Sequence, residues 1–302
     1  MMLIAGTVPI KDMPLAIGKV AMEDEFLIID GQRIPCTQGT GAMLSAALAT
    51  TTHLGLDAPN ALIVGDIGKG KGSRELYQYL IDNITELSPQ VLALHYWLPD
   101  MAQTRQLCQA IEKCKERPVM IADAASMYSA KAAGMAEMFD IFTPDASEIA
   151  FLADPDATHP AYIARHLFDS DINRTPELVR TACKNHDAAK LLLVKGATDY
   201  IIKDGAVIDI ISEPNVLALE AIGGTGDTIT GLVSALMYAE LEPDEAAIIA
   251  AKANRMAGKC SNATPATKVI EIIAQFPTVF KEYLCQWSGV CCVGGENKHG
   301  RS

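Results

Sequence analysis

Gly223-Gly224-Thr225-Gly226-Asp227-Thr228-Ile229-Thr230-Gly231 follows a polar segment and runs into Leu232, Val233, Leu236 and Met237, whose apolar spacing predicts a helix. A glycine-rich turn at a helix start leaves several backbone N–H groups unpaired and pointing the same way. Together with the positive end of the helix dipole they favour a phosphate or another oxyanion. An aspartate at the same turn is out of place if the turn only binds anions, because a carboxylate repels phosphate. It makes sense if Asp227 takes the proton from a hydroxyl as that hydroxyl meets the phosphate. The structural alternative is a glycine-rich cap whose acid merely favours the helix dipole.

Working outward, short apolar runs alternate with helical segments. Strands are predicted at Ala61–Val64, Val91–Leu94, Val119–Ala122, Ile141–Thr143 and Leu191–Val194. Helices are predicted at Ala42–Leu54, Arg74–Ile84, Gln103–Lys115, Lys131–Met138 and Ala146–Leu152, then at the opening motif and at Pro243–Gly258. Continuously apolar strands alternating with helices imply a mostly parallel sheet covered on both faces. In such sheets ligands gather beyond the carboxyl ends of the strands. Gly65-Asp66, Asp123, Asp145 with Glu148, and Lys195-Gly196 all follow predicted strands. Two hairpins are also expected: Phe26–Ile29 with Arg33–Pro35 around Asp30-Gly31, and Tyr200–Ile202 with Ala206–Ile208 around Asp204-Gly205. The organisation expected is one domain over residues 1–287, with residues 1–37 as an N-terminal β extension and 288–302 as a flexible tail.

A chain of 302 residues with 49% hydrophobic content can build a sizeable core. Its net charge of −12 argues against a nucleic-acid or anionic-membrane surface. No apolar run reaches the ~18–20 residues of a membrane helix, and the N-terminus lacks a basic leader. Eight cysteines include no Cys-x-x-Cys pair, so they read as small buried residues in a reducing cytoplasm, with Cys291-Cys292 unplaced. The partner expected is a small molecule, neither nucleic acid nor membrane, and the chain is expected to form a homo-oligomer.

Several further stretches agree in order with one family. Thr40-Gly41-Ala42-Met43-Leu44-Ser45-Ala46-Ala47, Pro118-Val119-Met120-Ile121-Ala122-Asp123-Ala124, Thr143-Pro144-Asp145-Ala146-Ser147-Glu148 and Leu193-Val194-Lys195-Gly196-Ala197 accompany the glycine-aspartate turn. Together they resemble the ribokinase-like superfamily, and within it the ADP- or ATP-dependent NAD(P)H-hydrate dehydratases. The resemblance runs in pieces from about residue 38 to 260. It implies a ribokinase-like three-layer α/β/α sandwich with the N-terminal β-hairpin added. Two departures stand out. His95-Tyr96-Trp97-Leu98-Pro99-Asp100 occupies the place of a Gly-Pro-Gly-Leu-Gly-like loop, and Asp145 stands where the dehydratases often have histidine and many sugar kinases asparagine.

By that resemblance Asp227 is the general base, and the N–H groups of Gly224, Thr225 and Gly226 form the anion hole for the transferred phosphoryl group. Lys195 and Gly196 would meet the nucleotide, ATP or ADP. Asp145 and Glu148 could orient Mg2+ through water; ordinary helix-start charge is the alternative. Gly39 and Gly41, Asp123, and Asp66 with Lys69 and Lys71 are candidates for the substrate, which could be phosphorylated or a dinucleotide. The 65–73 loop is not a P-loop, because Gly72 follows Lys71 where Ser or Thr would hold magnesium. A mobile surface loop is its alternative, an ordinary cap is that of Gly39-Thr40-Gly41, and core packing is that of an aromatic wall at 95–97. The implied function is phosphorylation of a hydroxyl on hydrated NAD(P)H followed by elimination. A kinase of a sugar, hydroxymethylpyrimidine or similar small alcohol shares the same base, and a non-catalytic nucleotide sensor is a third reading.

Overall fold

The computed structural model describes residues 1–157 and 174–288. The tail expected at 288–302, apart from Ser288, lies outside them, as do Cys291-Cys292 and residues 158–173.

Successive residues of a strand point to opposite faces of its sheet, and here both faces are apolar. Along β1 (Met2–Val8), Met2 and Ile4 enter one half of the core, Leu3 and Ala5 the other. The same division splits Ala61 and Ile63 from Leu62 and Val64 on β6 (Asn60–Gly65), and Leu191 and Leu193 from Leu192 and Val194 on β10 (Leu191–Val194). A sheet with two such faces must be covered twice, which makes three layers. One layer contains α1 (Thr40–Leu54), α7 (Thr225–Tyr238) and α8 (Pro243–Cys260). The other contains α2 (Lys71–Leu87), α3 (Met101–Ile111), α4 (Ala125–Ala133), α5 (Ala146–Ala153) and α6 (Thr175–Lys184).

The remaining strands of this sheet are β2 (Ala16–Lys19), β7 (Val91–His95), β8 (Val119–Ala122), β9 (Ile141–Phe142), β11 (Asp199–Lys203) and β12 (Ala206–Ile211). Among the described residues the order is β12-β11-β10-β9-β8-β7-β1-β6-β2. The block from β10 to β6 is parallel, while β11, β12 and β2 add antiparallel edges. A separate antiparallel sheet contains β3 (Ala21–Glu23), β4 (Phe26–Ile29) and β5 (Gln32–Pro35), so the hairpin expected around Asp30-Gly31 is present with one strand added.

Two expectations change. Residues 1–37 do not form one extension, because β1 pairs with β6 and β7 in the middle of the main sheet. Met2–Val8 is a fully buried apolar run, and such a run carries no alternation to announce which sheet it joins. The helix expected at Lys131–Met138 lies earlier, at Ala125–Ala133, and stops at left-handed Gly134. Of the cysteines, Cys36 and Cys108 are buried free thiols as expected, Cys260 is exposed, and Cys285 departs from the expectation in being disulfide-bonded.

α7 packs against α1. A Cβ at Gly231 would lie 2.2 Å from the Met43 carbonyl oxygen, so only glycine lets the helices approach this far. This contact brings the start of α7 beside the start of α1, at the carboxyl end of the parallel strands.

Candidate active site

The α7 start is built by Gly224, whose φ of 98° places it in the left-handed region that favours glycine. The turn is braced from three sides. Thr225 Oγ1 donates to the carbonyls of Leu219 (2.8 Å) and Ile222 (3.0 Å), and Thr228 Oγ1 donates to the Thr225 carbonyl (2.7 Å). Asn254 of α8 donates to that same carbonyl at 3.2 Å. First-turn N–H groups have no partner within a helix; Thr225 and Gly226 line the cleft while Gly224 does not, and the Thr225 N–H makes a long contact of 3.5 Å to the Ile222 carbonyl.

Asp227, in the first turn of α7, is held by two donors. Its Oδ2 accepts from the Gly39 N–H at 2.7 Å, and its Oδ1 lies 3.0 Å from His95 Nε2. Burial pushes its carboxyl up, but the hydrogen bond and charge of His95, the Lys195 ammonium and the Gly39 N–H outweigh burial and hold it below the usual range. The group is therefore an ionised base at neutral pH. Gly39 thus reaches the site through its backbone. Gly41 does not: it packs under β5, where a Cβ would lie 2.4 Å from the Pro35 carbonyl oxygen.

Behind Asp227 lies a second buried pair. Lys195 Nζ donates to both oxygens of Asp123, at 2.8 and 3.0 Å, and Thr230 Oγ1 donates to Asp123 Oδ2. Burial works against the Lys195 charge, yet Asp123, Glu148 and Asp227 override it and hold the ammonium well above its usual range. Asp123 is 1% exposed and fully engaged, which suits an interior anchor for Lys195. The Lys195-Gly196 turn is fixed by Arg255 of α8, which donates to Asp199 Oδ2 (2.7 Å) and to the Gly196 carbonyl (2.8 Å), while the Gly196 N–H donates to Asp199 Oδ1 (3.0 Å).

Asp145 and Glu148 form a capping box at the start of α5. Asp145 Oδ1 accepts from the N–H groups of Ser147 and Glu148, and Glu148 Oε2 accepts from the Asp145 N–H. Tyr128 donates its hydroxyl to Glu148 Oε1 at 2.9 Å. Burial first, then the like charge of Asp145, pushes the Glu148 carboxyl up to about 8. Two acids under mutual repulsion at a cleft wall suit a hard cation with oxygen ligands.

These groups share one cavity of about 560 Å3, lined by Asp123, Asp145, Glu148, Lys195, Gly196, Thr225, Gly226 and Asp227 among others. Asp66, Lys69 and Lys71 are not in its lining. Asp66 accepts from the N–H groups of Gly68, Lys69, Gly70 and Ser73 and from the Ser73 hydroxyl, so its carboxylate shapes its own loop. Lys69 and Lys71 are exposed on that loop. The aromatic segment divides. Trp97 is core, stacked on Tyr77 at 4.2 Å, His95 is wholly buried against Asp227, and Tyr96 lines the cavity half-exposed. Burial, with Asp227 and Glu148 nearby, pushes the Tyr96 hydroxyl up to about 12.

Thr230, Asn254 and Arg255 were not legible as partners of this site: they stand inside helices, and only tertiary packing brings them in. His95 and Tyr96 were legible only as part of an aromatic wall at 95–97; Tyr96 does line the cavity, while the contact of His95 with Asp227 had no signal beyond a titratable residue closing an apolar strand.

The family model for NAD(P)H-hydrate dehydratase matches residues 36–275. The chain belongs to the NAD(P)H-hydrate dehydratase family. The uncharacterized protein MJ1337 of Methanocaldococcus jannaschii is 37% identical over 242 residues, which cover 80% of this chain and 100% of that protein. The bifunctional NAD(P)H-hydrate repair enzyme Nnr of Pyrobaculum aerophilum is 34% identical over 111 residues, which cover 34% of this chain and 21% of that enzyme. Among solved structures, the ADP/ATP-dependent NAD(P)H-hydrate dehydratase from Bacillus subtilis, co-crystallized with ATP/Mg2+ and soaked with CoA, superposes with a TM-score of 0.57. It covers 93% of this chain and 90% of its own at 16% identity. A putative phosphomethylpyrimidine kinase from Bacteroides thetaiotaomicron gives 0.51 at 11% identity, covering 92% of this chain and 93% of its own. At these identities the likeness establishes the ribokinase-like fold.

Proposed function

We propose that this chain is an ADP- or ATP-dependent NAD(P)H-hydrate dehydratase. The observation that carries the reading is Asp227: an ionised, desolvated carboxylate beside the N–H groups of a fixed helix start, in a family defined by this activity. In this reading Asp227 accepts the proton of the substrate hydroxyl as its oxygen attacks the terminal phosphoryl group of the nucleotide. The N–H groups at Gly224, Thr225 and Gly226 receive the charge that builds on the phosphoryl oxygens. Lys195 and Gly196 line the nucleotide side, and Arg255 holds that turn in place through Asp199 and the Gly196 carbonyl. The nucleotide departs one phosphate shorter; the transferred phosphate then leaves with the former hydroxyl oxygen as its C–O bond breaks, the adjacent ring carbon gives up a proton to water, and the double bond of the reduced nicotinamide forms.

Asp145 and Glu148 are the residues that would hold Mg2+, through water, where it would neutralise nucleotide phosphate charge. Lys69 and Lys71, exposed on a loop outside the cavity lining, would meet a substrate phosphate only where the substrate extends beyond the cavity. A second reading, a kinase of a small alcohol, is favoured by His95-Tyr96-Trp97 standing where a glycine-rich loop is expected of a dehydratase.

The test is incubation of the protein with ATP or ADP, Mg2+ and hydrated NADH. Recovery of absorbance at the reduced-nicotinamide band supports the dehydratase, and nucleotide consumption only with an added alcohol supports the kinase. Asp227→Asn should keep the fold and nucleotide binding while turnover drops by ~10²–10⁴-fold, the usual cost of losing a positioned base. Turnover near that of the wild type in this variant would remove Asp227 from the mechanism.

A further inference from the structure

His95 ends β7 in a pocket with no access to solvent. Its Nε2 lies 3.0 Å from Asp227 Oδ1 and 3.8 Å from Asp123 Oδ2. Its Nδ1 lies 3.1 Å from Thr40 Oγ1, and that hydroxyl gives its proton to the Thr7 carbonyl at 2.7 Å. With its proton committed there, Thr40 accepts at Nδ1, while an ionised carboxylate accepts at Nε2. Both ring nitrogens therefore donate. The result is a row of carboxylate, imidazole, carboxylate and amine, Asp227, His95, Asp123 and Lys195, with Lys195 Nζ 2.8 Å from Asp123.

We propose that His95, as the imidazolium, is a positioning residue for Asp227: it fixes the Oδ1 oxygen, balances the carboxylate charge inside the cleft, and leaves the base free to accept a substrate proton. A neutral backbone N–H from Gly39 holds the other oxygen, so His95 is the only cation in direct contact with Asp227 among the described residues. The charged and titratable groups facing the carboxylate are His95 and Tyr96 at the end of β7, Asp123 after β8 and Lys195 after β10, with Glu148 of α5 nearby. Burial alone would raise Asp227, and His95 supplies the largest of the opposing effects. An imidazole here also explains why a strand that is otherwise apolar closes on a buried titratable residue: removing it would leave Asp227 and Asp123 facing each other with Lys195 as their sole counter-charge.

The inference rests on the proposed dehydratase reading only for its kinetic arm. Carboxyl carbon NMR of protein labelled at aspartate, with Asp227 assigned by Asp227→Asn, follows the base directly. In His95→Ala its titration should move up by about one pH unit or more, as expected when a close opposite charge is lost. His95→Gln keeps an N–H donor without the charge and should move it less. Thr40→Val leaves both partners in place, tests the same network if the His95 variants do not fold, and should give a smaller upward shift. The acid limb of the kcat/KM profile should move with the titration, because the base must be deprotonated to work. An Asp227 titration unmoved in these variants, or activity lost equally at every pH, would overturn the proposal. A wild-type chain inactive in every nucleotide and substrate combination would instead sink the dehydratase reading, and the NMR titration would still decide the role of His95.

Discussion

Arg255→Leu offers the sharpest test of how the Lys195-Gly196 side of the cleft is held. Arg255 and Asp199 are 5% and 2% exposed, and the guanidinium donates to Asp199, to the Gly196 carbonyl and, at 3.3 Å, to the Ser212 carbonyl. Leucine fills much of the volume but leaves a buried carboxylate without its counter-charge, a change that typically costs about 3–5 kcal/mol. For a chain of 302 residues that corresponds to a fall in Tm of roughly 5–8 °C. The loss should depend on pH in a defined sense. Burial already raises the Asp199 carboxyl, with Arg255 the chief opposing effect, so the variant raises it further. The folded variant then holds a proton more tightly than the unfolded chain, and its deficit should shrink as pH falls through the raised pKa toward the ordinary value. Differential scanning calorimetry at pH 5 and pH 8, on Arg255→Leu and on Arg255→Leu with Asp199→Asn, measures this. The double variant removes the stranded charge and should recover part of the loss. A Tm within about 1 °C of the wild type at pH 8 in the single variant would refute the assignment of Arg255 as a buried brace, since a burial this complete leaves no room for solvent to replace it.

Other perturbations probe separate parts of the argument. Glu148→Gln should raise stability at pH 8 but not near pH 4: the raised carboxyl makes the folded state bind a proton between its ordinary value of 4.5 and about 8, so stability falls as pH rises through that window, and thermal melts across it check the sign. Gly231→Ala forces a methyl group against the Met43 carbonyl and should cost about 1–3 kcal/mol in denaturant unfolding, with a matching loss of activity if the α1–α7 contact sets the Gly39–Asp227 geometry. Replacing Lys69 and Lys71 together by alanine should raise KM for a phosphate-bearing substrate several-fold and leave kcat unchanged. Identical KM values would make the 65–73 loop a surface feature.

The fold was largely legible because its signals are local. Apolar runs such as Leu191–Val194 and Val119–Ala122 are too continuous for half-exposed strands, and their alternation with helices admits few topologies. The glycine-aspartate turn was legible for the same reason: its geometry is fixed by glycines adjacent to the acid they serve. The N-terminal strand was not. Met2–Val8 is equally compatible with an edge and a centre, and only pairing with β6 and β7 settles it.

By itself the sequence determined the layered α/β architecture, the position of the glycine-rich turn that opens α7, and Asp227 as the acid in it, since backbone conformation at glycine and the period of apolar residues are properties of contiguous segments. Tertiary structure alone decided which groups surround that acid. Asp66, adjacent in motif and promising in charge, spends its carboxylate on its own loop, while His95 and Gly39, 132 and 188 residues away along the chain, make the contacts that hold the base. Charge and hydrogen bonding act over a few ångströms of space without regard to sequence separation, so the character of Asp227 is set only when β7, α1 and α7 are brought together.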